Sequence, residues 1–130
     1  MKAIVCGANG AMGQLILASL GGDAYKVSLD GLNGVPKTFE ELGTVEADVV
    51  IDFSHHTAVG GLMDFCIAKN LPVVVATTGQ TPEEKEIIAE AAKKIPVFFA
   101  ANYSIGVALL IELAKITAAT MPDADIEIIE

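Results

Sequence analysis

Ala3-Ile4-Val5-Cys6, then Gly7-Ala8-Asn9-Gly10-Ala11-Met12-Gly13, then Gln14-Leu15-Ile16-Leu17-Ala18-Ser19-Leu20: the order is a short apolar run, a turn with glycine at every third position, and an amphipathic segment. A buried strand that turns tightly into a helix is a setting for a pyrophosphate. Glycine lets the backbone turn and approach a ligand closely, and the first helical N–H groups then face the phosphates at the positive end of the helix dipole. The spacing is G-x-x-G-x-x-G rather than the commoner G-x-G-x-x-G. A plain strand-to-helix turn carrying chance glycines is the competing reading. The position of the loop at the head of an alternating chain favours the ligand.

Outward from that loop the pattern keeps alternating. Strands are expected at Lys2–Cys6, Lys26–Asp30, Asp48–Asp52, Pro72–Ala76, Val97–Ala100 and Asp125–Ile129, and helices at Ala11–Leu20, His56–Lys69, Pro82–Lys94 and Ser104–Thr120. The third helix has a strong start signal: Thr81 to cap, Pro82 in the first turn, and Glu84 to complete a Thr-x-x-Glu box. Between the second and third strands, Thr38–Leu42 reads as one helical turn, too brief for a full crossover helix. Repeated βα units of this kind predict an α/β fold with a doubly wound parallel sheet, a Rossmann-type dinucleotide-binding domain. Its ligands lie outside the carboxyl ends of the strands.

Composition agrees with such a sheet. The chain has 130 residues, enough for one domain, with 52% hydrophobic but only 5% aromatic residues. Small aliphatic side chains therefore build the core, as in a parallel sheet covered on both faces. Acidic residues number 17 against 8 basic ones, all lysine, for a formal charge of −9. That balance argues against nucleic acid and against an anionic membrane surface as partners. Cys6 and Cys66 lack metal or redox spacing and read as buried free thiols in a reducing compartment, so a cytoplasmic location is expected. The N-terminus opens directly on a strand, with no signal peptide, and no apolar stretch approaches the length of a membrane span.

The residues closing each strand form a common edge. Asp30 ends the expected second strand, where a carboxylate accepts hydrogen bonds from an adenosine ribose; a solvated turn before Gly31 explains it as well. Phe53 and Ser54 follow the third strand, Ala76, Thr77, Thr78 and Gly79 the fourth, and Ala101, Asn102, Tyr103 and Ser104 the fifth. Thr77 and Thr78 suit the ribose and carboxamide of a nicotinamide, or simply cap a turn. Phe53 and Tyr103 offer flat apolar faces, or core packing. Ser54 and Ser104 are also plausible helix caps. His55 and His56 are adjacent, point in different directions and have no third ligand at tetrahedral spacing. No metal site and no catalytic acid, base or nucleophile is expected in this chain.

Taken together, these loops resemble the 4-hydroxy-tetrahydrodipicolinate reductases, long called dihydrodipicolinate reductases. The stretches that carry the resemblance are Gly7–Gly13, Asp48–Ser54, Ala76–Gly79 and Ala101–Val107, and the closing Asp125–Glu130 is similar to the strand before that family's catalytic segment. The resemblance implies an NAD(P)H-dependent oxidoreductase of lysine (diaminopimelate) biosynthesis that reduces a cyclic dicarboxylate to tetrahydrodipicolinate. Carried over by position, Gly7, Ala8, Asn9, Gly10, Ala11 and Met12 would hold the pyrophosphate, and Asp30 would meet the adenine ribose. Phe53 and Ser54 would line the cleft, and Ala76, Thr77, Thr78, Ala101, Asn102 and Tyr103 would face the nicotinamide half.

The chain departs from the family at several points. Ala11 stands where members usually carry arginine, and Ala76 where they commonly carry glycine. The stretch after the second strand is short and lacks the usual basic residues. With Asp30 in place and no arginine to grip a 2′-phosphate, NADH is expected to bind at least as well as NADPH, Lys26 and Lys37 being the nearest cations. The family's His-His-x-x-Lys segment and Ser-Gly-Thr substrate loop are not in the sequence. The helix at Ser104–Thr120 is apolar on most faces and so is expected to be buried on most faces. These points give the expected division: residues 1–104 the dinucleotide-binding domain, and 105–130 the start of a substrate and oligomerisation domain through which the enzyme would form a homo-oligomer. The chain alone is then expected to bind cofactor without turnover. A non-catalytic NAD-binding or redox-sensing module, a partner-docking domain using the last helix, and another two-domain dehydrogenase are the alternatives.

Overall fold

The computed structural model describes residues 1–127 and 129. Its elements are β1 (Ala3–Cys6), α1 (Ala11–Leu20), β2 (Ala24–Val27), α2 (Phe39–Leu42), β3 (Val49–Asp52), α3 (Val59–Lys69), β4 (Val73–Val75), α4 (Pro82–Ala91), β5 (Val97–Phe99) and α5 (Ile105–Thr120), with 3-10 turns at Leu32–Gly34 and His56–Ala58. The strands form one sheet in the order β2-β1-β3-β4-β5, and every pairing is parallel. The chain steps from β1 outward to β2, then returns to the opposite side of β1 for β3. That reversal opens a crevice at the strands' carboxyl ends between β1 and β3. The α/β, doubly wound architecture expected from the alternation is the one observed.

Local signals account for most boundaries. Thr81 Oγ1 accepts from the Glu84 N–H at 3.2 Å, and Glu84 Oε2 accepts from the Thr81 N–H at 2.8 Å, which completes the capping box of α4. Thr38 caps α2, and the crossover from β2 to β3 is the single turn that the sequence predicts. Helix α3 ends at Asn70 with φ +52°, a left-handed conformation that asparagine tolerates.

The two faces of the sheet are covered unequally. Ile4, Val50 and Val73 align across β1, β3 and β4 and are each at most 1% exposed. They join Leu62, Met63 and Cys66 of α3 and Ile88 and Ala91 of α4 in one core cluster. The alternate row is Val5, Ile51, Val74 and Phe98, which points to the opposite face, where α1 packs on β1. Val5 is fully buried and Phe98 is 59% exposed, with Ile51 and Val74 in between.

Two expectations are corrected. β2 spans Ala24–Val27 rather than Lys26–Asp30, because its four residues pair with all four of β1 and the Ser28 N–H then turns to the Pro36 carbonyl. Asp30 therefore lies in the following turn. The strand expected at Asp125–Ile129 is absent over Asp125–Glu127 and at Ile129, while Ile128 and Glu130 lie outside the described residues. A strand exists through its ladder to a neighbour, and this segment has none among the described residues. Helix α5 forms as expected, and its apolar faces are left uncovered in this chain: Ile105 is 88%, Leu110 65% and Ile116 61% accessible. No described element packs closely on it.

Leu62 sits at the centre of the covered face at 2% exposure. Leu62→Ala should lower the unfolding free energy by about 2–5 kcal/mol, read as a shift of the urea midpoint.

Candidate functional site

The crevice is shaped first by backbone contact. Gly7 has φ +75°, and a Cβ built there would lie 2.5 Å from the Phe53 carbonyl oxygen. A Cβ at Gly13 would lie 2.2 Å from the Gly7 carbonyl oxygen. Both positions exclude a side chain: one lets the β1 loop touch the β3 loop, the other lets α1 seat on that loop. Gly10 differs. Its Cβ would meet the Gly7 carbonyl oxygen at 3.2 Å, a tight contact but far less severe than those at Gly7 and Gly13. Gly10 is the N-cap of α1 and brings no side chain to the first-turn amides. Ala8 is buried; Ala11 and Met12 stand exposed at the helix start.

Each remaining loop is held by bonds of its own. Asn9 Nδ2 donates to Asp30 Oδ1 at 2.6 Å and to the Leu32 carbonyl at 3.3 Å. Leu32 N–H also donates to Asp30 Oδ1. These donors, Asn9 foremost, pull the Asp30 carboxyl below its usual range. Asp30 thus reaches the glycine loop despite the earlier end of β2. Gln14 Nε2 donates to the Ala8 carbonyl at 2.6 Å and steadies the same loop from α1.

Phe53, Ser54, Ala76, Thr77 and Thr78 come together around a pocket of about 330 Å³, with His55 and His56 on its wall. Thr78 is exposed there, whereas Thr77 is buried and its Oγ1 accepts from Gln80 Nε2 at 2.6 Å. Tyr103 bridges the loops: its ring centroid lies 5.8 Å from that of Phe53 and 6.1 Å from that of Phe98. Its hydroxyl donates to the Val75 carbonyl at 3.3 Å, and burial raises its phenol pKa. Ala101 and Asn102 are exposed. The Asn102 amide is occupied at both ends, donating to the Ser104 carbonyl and accepting from the Ser104 N–H.

Three residues missed by sequence reasoning belong to this region. Asp52, 1% exposed, lines a small cavity of about 50 Å³ with Cys6, Gly7, Ser28 and Ser54. Its Oδ1 accepts from both the N–H and the hydroxyl of Ser54. Burial raises its pKa, and those two bonds oppose the rise. An acid closing a β-branched strand was the available signal. Ser28, buried at the end of β2, was hidden by the misplaced strand end. His56 Nδ1 lies 2.8 Å from Glu84 Oε2, a pairing between loops that spacing does not reveal. Cys6 and Cys66 are free and buried, as expected, and burial pushes the Cys66 thiol up to about 12.

The chain matches a family model described as dihydrodipicolinate reductase, N-terminus, over residues 20–103. It is 40% identical to the 4-hydroxy-tetrahydrodipicolinate reductase of Caldanaerobacter subterraneus subsp. tengcongensis, covering all of this chain and 55% of that protein. Identity to the reductase of the same name from Alkaliphilus metalliredigens is 38%, over all of this chain and 54% of that one. With that of Pseudoalteromonas atlantica it is 34%, over 99% and 57%. The chain thus spans little more than half the length of these curated relatives, whose alignments include the glycine loop that lies outside the family-model match. Among the described residues, no helix is long and apolar enough to cross a membrane.

Asp52 supplies a test of the site's electrostatics. Its carboxyl is harder to ionise folded than unfolded, so the folded state binds the extra proton and stability falls as pH rises from about 3.8, the ordinary value, to the folded pKa. Asp52→Asn keeps an acceptor for Ser54 and removes the buried charge. Urea unfolding should show the variant more stable than the parent at pH 7, with a flatter pH profile above pH 4.

Proposed function

Because the chain belongs to the dihydrodipicolinate reductase family, matching its N-terminal part, we propose that it is the NAD(P)H-binding domain of a reductase acting on 4-hydroxy-tetrahydrodipicolinate in lysine biosynthesis. The observation that carries this reading is the contrast among the loop glycines. Gly7 and Gly13 have backbone within 2.5 Å of where a Cβ would go, while at Gly10, the N-cap of α1 with no side chain, the near atom is the Gly7 carbonyl oxygen at 3.2 Å. A cradle for a pyrophosphate needs both properties: a fixed floor and a bare backbone approach.

The chain's own residues divide the work along the crevice. The first-turn N–H groups of α1 and the backbone of Gly7–Met12 would bind the phosphates. Asp30 keeps Oδ2 for a ribose hydroxyl, since the bonds from Asn9 and Leu32 fall on Oδ1. Phe53 and Ser54 would line the middle. The backbone of Ala76–Thr78, the Thr78 hydroxyl and the Ala101–Tyr103 segment would orient the nicotinamide half, which supplies the hydride when bound. Asp30 carries a full negative charge beside the expected 2′ position, and Lys37, packed against Gly31, is the cation on the same loop. NADH then binds at least as well as NADPH.

We assign residues 1–104 to the dinucleotide-binding unit and 105–130 to a connector leading toward the substrate-holding and oligomer-forming parts of a full-length enzyme. The exposed apolar surface of α5 supports that division. In this reading the chain binds cofactor without turning it over, because the His-His-x-x-Lys and Ser-Gly-Thr segments that the family resemblance assigns to substrate and proton are not in its sequence. Mixing chain, NADH and 4-hydroxy-tetrahydrodipicolinate should leave the 340 nm absorbance at its background slope; faster loss would refute the assignment.

Calorimetric titration tests the cradle. The parent should bind NADH, with NADPH equal or weaker, and Gly10→Val should bind neither while keeping the parent's circular dichroism. A parent that folds and binds neither cofactor, or a variant that binds as the parent does, would overturn the reading.

A further inference from the structure

His56 stands outside the roles given so far, yet its surroundings are specific. It starts the 3-10 turn after β3 and lines the 330 Å³ pocket beside Phe53 and Thr78. Its Nδ1 lies 3.0 and 2.8 Å from the two carboxylate oxygens of Glu84. Glu84 belongs to the first turn of α4, and its Oε2 also accepts from the Thr81 N–H. That backbone bond, with the His56 bond adding to it, draws the carboxyl below its usual range, so Glu84 is an acceptor at neutral pH. Nδ1 must then be the donor, which fixes the imidazole's tautomer and ring plane. The far edge of the ring faces Gly79: a Cβ there would sit 3.5 Å from His56 Cδ2 and 4.0 Å from Nε2. The ring therefore spans the gap between the loop after β3 and the loop after β4.

We propose that His56 is a positioning residue: held by Glu84, it latches the β3–α3 loop to the β4–α4 loop and fixes the width of the pocket that receives the nicotinamide half of the cofactor. This inference rests on the dinucleotide-binding reading and deepens it. Two features make a latch necessary here. β3 and β4 pair over only three residues, Val50–Val73 to Asp52–Val75, and the Ala76 N–H to Asp52 carbonyl bond is the last backbone tie between their continuations. Beyond it His56–Glu84 joins the two loops again through their side chains. The link is also between side chains 28 residues apart in sequence, so it joins two crossover units rather than stabilising either alone. The glycine loop lies on the other side of β3 and takes no part in it.

The test separates the two halves of the ligand. NADH and ADP are titrated calorimetrically into the parent, His56→Ala and His56→Asn. The asparagine amide nitrogen falls near the place of Nδ1 and keeps a donor for Glu84. Hydrogen exchange at residues 55–58 and 77–80 is followed in the ligand-free chain. His56→Ala should weaken NADH by about 3- to 10-fold, the range of one lost hydrogen bond. ADP affinity should stay within about twofold, and exchange should quicken in both loops. His56→Asn should recover most of the NADH affinity and the slow exchange. Unchanged exchange in His56→Ala, an equal loss of ADP affinity, or asparagine performing no better than alanine would overturn the latch. A parent that binds neither ligand while its two loops respond as expected would instead count against the dinucleotide reading and leave the latch standing.

Discussion

The structure depends on a close approach of backbone to backbone at two glycines. Gly7 lets the β1 loop run against Phe53 and Ser54, and Gly13 lets α1 sit on Gly7 itself. Both contacts lie at the place where strand order reverses, so the depth and direction of the crevice follow from the absence of two methyl groups. The ladder continues through this contact: the Ala8 N–H donates to Val27, and the Phe53 N–H to Cys6. Adding a side chain at either glycine would part the loops that these bonds join. The apolar core beneath, built from Ile4, Val50, Val73 and the inner faces of α3 and α4, is the platform that makes the approach rigid.

Charge sharpens the demands on that crevice. The chain carries a formal charge of −9 and has no arginine, so its long-range field repels an anionic ligand rather than steering it. Attraction has to come from groups a few ångströms away, chiefly the uncapped N–H groups of α1 and their dipole. Such groups act well only when they are already oriented. The observed bonds achieve that: Gln14 steadies Ala8, Asp30 steadies Asn9, and Ser54 folds back on Asp52. Asp52 has a further consequence. Its carboxylate is buried under the crevice floor and is stabilised mainly by Ser54, so the Ser54 hydroxyl is committed downward and the pocket meets the rest of that residue.

What the sequence made legible is what local chemistry determines. The glycine loop, the Thr81 capping box, the single-turn α2 and the parallel order of βα units all arise from neighbouring residues, and all are where their signals put them. The candidate site was legible as a set of loops, because a parallel sheet brings every strand's carboxyl end to one edge. It was less legible as a set of side chains. The end of β2 depends on how many residues β1 offers for pairing, a non-local fact, and it moved Asp30 into a turn and brought Ser28 to the strand's end. Thr77 reads as a free hydroxyl until Gln80 is found folded onto it. His56 has no spacing relation to Glu84 at all; only the packing of α3 beside α4 brings them together.

The unequal faces of the sheet connect these points. On the α3/α4 face the aligned rows are closed from β1 to β4 and open only at Phe99 of β5, but on the other face cover falls away from Val5 through Val74 to Phe98. Tyr103 partly compensates by laying its ring between Phe53 and Phe98, which ties the outermost strand to the middle of the crevice. The loop after β5 is thereby positioned by an aromatic contact rather than by a helix packed behind it. Helix α5 leaves that loop with an apolar surface and no close neighbour among the described residues. A helix of this composition gains little from solvent and much from burial. The same exposed surfaces that leave β5 half-covered are therefore those best suited to receive further apolar packing. Such packing would stiffen the β4–β5 side of the crevice, whereas the β1 side is already fixed by Gly7 and Gly13.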